Sequence, residues 1–384
     1  VTDFCTAKGL STLQYAMSIA ATWVWAPAIF VASAVACQYG VEGLMWFIVP
    51  NVLTLVLFGY VAKVAVANGP TASDVITSDN YQQFLHRVVS ILLLICSTFV
   101  QLLGVYYLAS EWFNCSRWLC GGVVLGFALG LIWKGGLRAC ILTDYVKYLI
   151  MVVVGFLLMI SQPAADFLIP QYSSMDLALS FGIPTAIGLF AAPYVDSTFW
   201  QRAYSIKRKD RPRVFIAASC LFALIPMFFG VIGLGQPEGW TIQTAFDTTV
   251  GKSLLGLAVL AALISTIDSN LCAVGAYFKT HFAVVLFSLI TLFAFVAFDS
   301  LTIVDMFLFY GTLRTVAAVP TVLTVFRKAD PKRLFKATLT AAIICPAGFA
   351  MCKIFGFVDW ACLFTALAVL IPLLGWDRRG QREA

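Results

Sequence analysis

Within an otherwise apolar segment from Leu254 to Phe278, the run Ala261-Ala262-Leu263-Ile264-Ser265-Thr266-Ile267-Asp268-Ser269-Asn270 concentrates polar side chains. At helical spacing Ala262, Ser265, Thr266 and Ser269 fall at i, i+3, i+4 and i+7, so one face carries hydroxyls beside a small residue. Intramembrane hydroxyls commonly donate to the carbonyl one turn back, which is the plain reading of such a face. Asp268 on the same helix adds a functional one, because an ionisable side chain is expensive to keep inside a bilayer. The chemistry on offer is the holding of a cation or polar solute through oxygen.

Further oxygens are expected where helices are broken. One apolar segment carries Thr22-Trp23-Val24-Trp25-Ala26-Pro27, and another carries Gly182-Ile183-Pro184 and Ala192-Pro193. Proline removes a backbone donor and glycine permits unwound geometry, so both segments can expose carbonyls at mid-membrane. Non-helical backbone survives at that depth only where protein or a water-filled cavity satisfies it. A hard cation such as sodium takes oxygen ligands. The expected sodium set is the backbone of Ala21, Val24 and Ala262 with the hydroxyls of Ser265 and Thr266, an uncharged cage that can release its ion.

The elements that must position these groups follow from composition. The 384-residue chain is 61% hydrophobic and 11% charged, which identifies an all-α, polytopic integral membrane protein. Apolar runs of spanning length cover about 12–37, 42–66, 84–110, 117–134, 143–163, 177–200, 213–235, 253–278, 281–299, 303–326, 334–354 and 357–375, about twelve helices in all. No long polar block interrupts them, so residues 1–384 form a single transmembrane transporter domain. The two interrupted spans are the first and the sixth, corresponding places in two five-span halves, which points to an inverted repeat with its site at the midplane. The first repeat covers about 12–163 and the second about 177–326, followed by two C-terminal helices at about 334–375.

The net charge of +6 does not signal a nucleic-acid partner, because the basic residues sit in short loops. Alternate counting from a cytoplasmic N-terminus places Lys63, Arg138, Lys147, Arg202, Lys207, Arg208, Lys209, Arg211, Arg213 and Lys336 among many inside, and only Arg117, Lys252 and Lys353 outside. Both termini are therefore expected on the cytoplasmic side of a plasma or cytoplasmic membrane. Most of the eleven cysteines lie in apolar spans as packing residues, and Cys115 with Cys120 is the one plausible disulfide pair. His86 and His281 lack zinc-ligand spacing, and no nucleophile–base or cofactor motif appears, so an enzyme is not expected.

With these residues in view, the Ala262, Ser265, Thr266 stretch resembles the sodium/solute symporter family. Two more stretches share that resemblance: Gly135-Gly136-Leu137-Arg138-Ala139 followed by Thr143-Asp144, and Trp200-Gln201-Arg202-Ala203. The resemblance implies a five-plus-five inverted-repeat, leucine-transporter-like core, alternating access, and sodium as the coupling ion between the first and eighth spans. It also implies that Asp144 lines the ion's inward path or a second cation site, with Asp268 and Ser269 as partners. Pairing of Asp144 with Arg138 or Lys147 is the plainer alternative. Arg314 stands inside the tenth span with no partner named by the sequence. The chain departs from the family in a linker of about Lys279 to His281 between spans eight and nine, and in Lys147 where the family carries Gln.

Trp23, Trp25 and Pro27 are the candidate substrate contacts, since aromatic walls suit a small neutral or cationic solute. The run Thr22-Trp23-Val24-Trp25-Ala26 with Gln38-Tyr39-Gly40 is similar to the urea/polyamine branch, which implies urea or a similar small amide or amine. The expected function is thus sodium-coupled symport of a small organic solute, with membrane lipid and that solute as partners. Proton coupling through Asp144 and Asp268 is one alternative, and a transport-impaired channel or sensor on the same scaffold is another.

Overall fold

The computed structural model describes residues 3–75, 80–162, 173–237, 239–301, 303–326 and 331–355, together with 360, 361, 364, 365 and 367. Helix α1 (Thr12–Trp23) begins at a reciprocal cap: Ser11 Oγ accepts from the Gln14 N–H at 3.2 Å, and the Ser11 N–H donates to Gln14 Oε1 at 2.8 Å. It stops at Val24, and Trp25 is extended (φ −71°, ψ 151°) before α2 (Ala26–Val64) restarts with Pro27 in its first turn. Pro27 has no N–H for the Trp23 carbonyl one turn earlier, and the Ala28 N–H turns to Trp25 O at 2.8 Å. The helix is thereby broken where the sequence places its Trp-rich run.

The expected gap between the first two spans is a bend instead of a loop. Gly40, at φ 66° and ψ −154°, turns the chain inside α2, a conformation that a side chain would strain. Helices α3 (Asn80–Phe113), α4 (Arg117–Ile132) and α5 (Gly136–Ser161) complete the first half. A single helical turn, α6 (Ser174–Leu177), and a π turn at Ala178–Gly182 lead into α7 (Ile183–Val195). The sequence expectation of an opening at Gly182–Pro184 is therefore corrected. Pro184 sits at the start of α7 and Pro193 within it, and the chain breaks later, at Asp196 (φ −86°, ψ 112°), before α8 (Ser197–Ser205).

Helices α9 (Arg211–Gly233), α10 (Thr249–Phe278), α11 (His281–Ala297), α12 (Ile303–Val325) and α13 (Pro331–Ile354) follow. Only Lys279 and Thr280 separate α10 from α11. Lys279 takes a left-handed φ of 56° and the Thr280 hydroxyl caps α11. The span expected at 357–375 lies largely outside the described residues.

The order of elements recurs. A broken helix, two long helices, a short apolar helix and a final long helix make the first half; α7 with α8, then α9, α10, α11 and α12 repeat it. The short members correspond closely, with 16 residues in α4 and 17 in α11. Because five crossings are odd in number, the second set enters from the opposite side of the bilayer.

The two sets interlock through α2 on α9 and α7, α10 on α5 and α12 on α3, while α1 lies against α5, α9 and α10. The α2–α9 approach is close enough that a Cβ on Gly233 would fall 2.1 Å from the Ser33 carbonyl oxygen. On the outside, Val146, Leu149, Val153, Phe156, Leu157 and Ile160 of α5 and Leu286, Leu289, Ile290 and Phe293 of α11 are exposed apolar stripes. Among the described residues seven helices are long and apolar enough to cross a membrane, and these stripes are the faces that lipid covers.

Candidate ion and solute site at the broken helices

Thr266 joins the break in α1 to the middle of α10. Its hydroxyl donates toward both the Thr22 carbonyl and the Ala262 carbonyl, each at 3.3 Å. Oxygens that ligate one hard cation at about 2.4 Å stand about 3.4 Å apart when they subtend a right angle, so this spacing suits a shared ion. Ala21 and Val24 flank Thr22 at the same break, and all three are buried. The donation to Ala262 is also the plain back-bond, so Thr266 combines both readings of the sequence.

Ser265 does not face the break. It donates to Asp144 Oδ1 at 2.8 Å, because a neighbour in sequence is rotated by about 100° around a helix and so points at α5 instead of α1. The expected sodium set is thus split: Thr266 and the Ala262 carbonyl meet the break at Thr22, which Ala21 and Val24 flank in sequence, and Ser265 belongs to the acidic group beside it. Thr22, absent from the expected set, supplies both a carbonyl to Thr266 and a hydroxyl 3.1 Å from Ser269 Oγ.

Asp144 of α5 and Asp268 of α10 are both fully buried, and each is met by a cation. Arg202 Nη2 donates to Asp144 Oδ2 at 2.8 Å, Lys147 Nζ to Asp144 Oδ1 at 3.3 Å, and Lys147 Nζ also to Asp268 Oδ2. Ser18 Oγ adds a bond to Asp144 Oδ2 at 2.7 Å. Arg202 Nε donates to Ser18 Oγ (2.9 Å) and Nη1 to Thr198 O (3.0 Å), while Nη2 also lies 2.8 Å from both Thr22 Oγ1 and Ser269 Oγ. Two carboxylates and two cations make a neutral group that ties α1, α5, α8 and α10 together. Such burial is tolerated because every charge has an opposite partner and hydrogen bonds.

Cys140 Sγ and one oxygen from each carboxylate lie within 4.8 Å of one another, close enough to share a metal. The same carboxylates already serve Lys147 and Arg202, so the donor set is that of an ion-pair cluster. Of the two partners expected for Asp144, Lys147 is present and Arg138 is not; Arg202 takes the stronger geometry. Counting Arg202 and Lys147 with the loop charges is therefore corrected, since Arg202 is 0% exposed and Lys147 8%. Their common signal was proximity to apolar sequence: Arg202 follows Phe199-Trp200, and Lys147 falls three residues after Asp144 within α5.

Beside the break lies a narrow cavity of about 20 Å³, room for about one water, lined by Thr22, Trp23, Trp25, Ser97, Leu189, Asp196, Phe199, Thr266, Tyr310 and Arg314. It meets both helix breaks, since Asp196 caps α8 by accepting from the Thr198 N–H and hydroxyl at 2.9 and 2.8 Å. Trp23 packs edge-on against Phe199 at 5.1 Å, and Trp25 against Tyr310 at 6.1 Å. Pro27 is buried in α2 and does not line the cavity. The cysteines expected as a pair, Cys115 and Cys120, are both free.

No protein-family model and no curated protein matches the chain. Solved structures do. A Na+-coupled sialic acid symporter in its substrate-bound outward-open state is 15% identical, with 95% of this chain and 89% of that one covered at a TM-score of 0.64. A manganese transporter from Eremococcus coleocola is 12% identical over 97% of this chain and 99% of its own, with a TM-score of 0.62. A nucleobase-cation-symport-1 family transporter in a closed conformation with bromovinylhydantoin bound is 10% identical over 98% and 95%, with a TM-score of 0.57. At these identities the likeness speaks for architecture, and the architecture is that of a polytopic, all-helical membrane protein built on the five-plus-five inverted repeat of the leucine-transporter-like fold.

Proposed function

We propose that this chain is a sodium-coupled secondary active symporter of a small organic solute, working by alternating access and distantly related to the sodium/solute symporters. The observation that carries the reading is the contact of Thr266 with the Thr22 carbonyl, which brings the α10 hydroxyl to the opened backbone of α1 beside a cavity. Sodium, taken as cargo, would be held by Thr266 and the carbonyls of Ala21, Val24 and Ala262, with Thr22 as a further oxygen. An ion there joins α1 to α10, and a solute that also favours the joined arrangement gains affinity by linkage. The sialic acid symporter among the similar structures couples to Na+, which supports the choice of ion.

Asp144, Asp268 and Ser269 are read as the partners of two tethered cations, Lys147 and Arg202, in place of a second inorganic ion. The urea, amide or amine lead, drawn from Thr22-Trp23-Val24-Trp25-Ala26 with Gln38-Tyr39-Gly40, gains no support from the similar structures, and the cavity also holds the guanidinium of Arg314. The basic loops support cytoplasmic placement of both termini. Purified protein in liposomes tests the coupling: a sodium gradient should drive accumulation that choline at the same pH does not, and accumulation following only a pH gradient would favour the proton-coupled alternative.

A further inference from the structure

Two buried donors face the cavity without a partner. Trp23 Nε1 and Arg314 Nε have no hydrogen-bond acceptor among the described residues, and their side chains are 5% exposed each. No carboxylate among the described residues forms an ion pair with Arg314, in contrast to Arg202 and Lys147. Asp196 lies near enough for its charge to act on Arg314, but the Nε of Arg314 is unsatisfied, and a buried donor without an acceptor is costly, so a structure keeps one where something else completes it.

The surroundings of Arg314 define what completes it. Its guanidinium carbon stands 3.7 Å from the Tyr310 ring centroid and 5.5 Å from that of Trp25. The rings stabilise its charge through their π clouds, and guanidinium N–H groups project in the guanidinium plane, the direction suited to a planar anion. Asp196 lines the same cavity, yet its Oδ1 is committed to Thr198 and its charge lies at the N-terminus of α8, which favours a negative group there.

We infer that this cavity, narrow as it stands and widened in the alternating-access cycle, takes a small monocarboxylate with a compact apolar body, its carboxylate held by Arg314 and by the indole N–H of Trp23. This rests on the symporter reading for the ion and deepens it for the solute. One sodium and Arg314 against Asp196 leave one positive charge at the site, which a single carboxylate balances. Leu189 and Phe199 supply the apolar wall for the rest of the molecule. A cationic amine meets Arg314 as a like charge, and a neutral amide offers its carbonyl without the charge.

The test is thermal stability of the purified full chain with matched probes: benzoate, benzamide and benzylamine, and propionate, propionamide and propylamine, in sodium chloride and in choline chloride. A ligand that binds only the folded state raises its melting temperature. Carboxylates alone should do so, and more strongly in sodium. Arg314→Gln should raise the half-maximal carboxylate concentration at least about tenfold, with Arg314→Lys recovering part of it. Trp23→Phe should weaken carboxylates while leaving sodium's own shift intact. The inference is overturned if amides or amines act as well as carboxylates, if no carboxylate acts, if the carboxylate response survives Arg314→Gln, or if that variant fails to fold. Sodium's shift in the absence of organic probes separates the two levels: its persistence leaves the symporter reading standing while the solute class falls, and its absence removes the symporter reading itself.

Discussion

Arg202 of α8 and Asp144 of α5 form an ion pair of 2.8 Å in which neither side chain has any solvent exposure. The pair places the helix after the second break on the same support as α1, because Arg202 also reaches Ser18 and Thr22. Removing one partner strands the other charge. Arg202→Met and Asp144→Leu should each destabilise the protein by about 3–5 kcal/mol, and the double variant should be more stable than either single one. Melting temperatures in a double-mutant cycle check this; additive losses would mean that the pair does not act as a unit.

Lys147 is the second tethered cation. Lys147→Gln leaves Asp268 without its ion-pair partner, and the vacated space lies among Asp144, Asp268 and Cys140. In choline this variant should be less stable than the parent by about 3–5 kcal/mol. Sodium should restore much of that loss, and should still do so when Thr266→Ala is added. Melting curves against sodium concentration measure both.

Neighbouring hydroxyls on α10 should separate by function. Thr266→Ala is expected to weaken sodium binding by about tenfold or more, and Thr266→Ser to keep most of it. Ser265→Ala removes a bond to Asp144 and should lower stability by about 1–3 kcal/mol while leaving sodium affinity within a few-fold. Equal effects of the two alanine variants on sodium would contradict the division of the site.

Close packing of α2 on α9 gives a further expectation. Gly233→Ala drives a methyl into the Ser33 carbonyl, and neither backbone has an easy path away. The loss should be about 1–3 kcal/mol, with sodium affinity retained if the two helices form a frame for the site.

The segment ahead of α1 carries a pH dependence of its own. Partial burial pushes the Asp3 carboxyl up, but the Thr6 hydroxyl and the N–H groups of Thr6 and Cys5 outweigh it, so its pKa is lowered below the ordinary 3.8. A lowered folded pKa means stability that is full above 3.8 and is lost as pH falls through the folded value. This segment docks through Leu137 N–H to Asp3 O at 3.0 Å and Gln201 Nε2 to Phe4 O at 2.9 Å. Amide-exchange protection at Cys5 and Thr6 should hold near neutral pH, decline below 3.8, and be absent throughout in Asp3→Ala.

The helical spans were legible because a bilayer permits few alternatives: apolar length, proline and glycine mark where helices run and stop. The break at Trp25 follows from Pro27 by local chemistry alone. The site was legible only as far as one helix face carries it. Helical spacing places Ser265 and Thr266 side by side in number, but which turns to α1 and which to α5 depends on how three helices meet. Arg202 and Lys147 read as loop charges because the positive-inside pattern rewards counting, and a buried cation looks the same in that count as an exposed one. Thr22 was overlooked for a related reason, since a single hydroxyl before a tryptophan gives no sign that its carbonyl meets another helix. The break at Asp196 also departs from the nearest proline, because the extended conformation there is fixed by its cap to Thr198.

Equilibrium binding of radiolabelled sodium to the purified protein tests the central claim most directly. A single saturable site is predicted, preserved in Ser265→Ala and lost or strongly weakened in Thr266→Ala. Absence of saturable binding in the parent protein, or binding indifferent to Thr266→Ala, would contradict an ion held between the opened backbone of α1 and the hydroxyl face of α10.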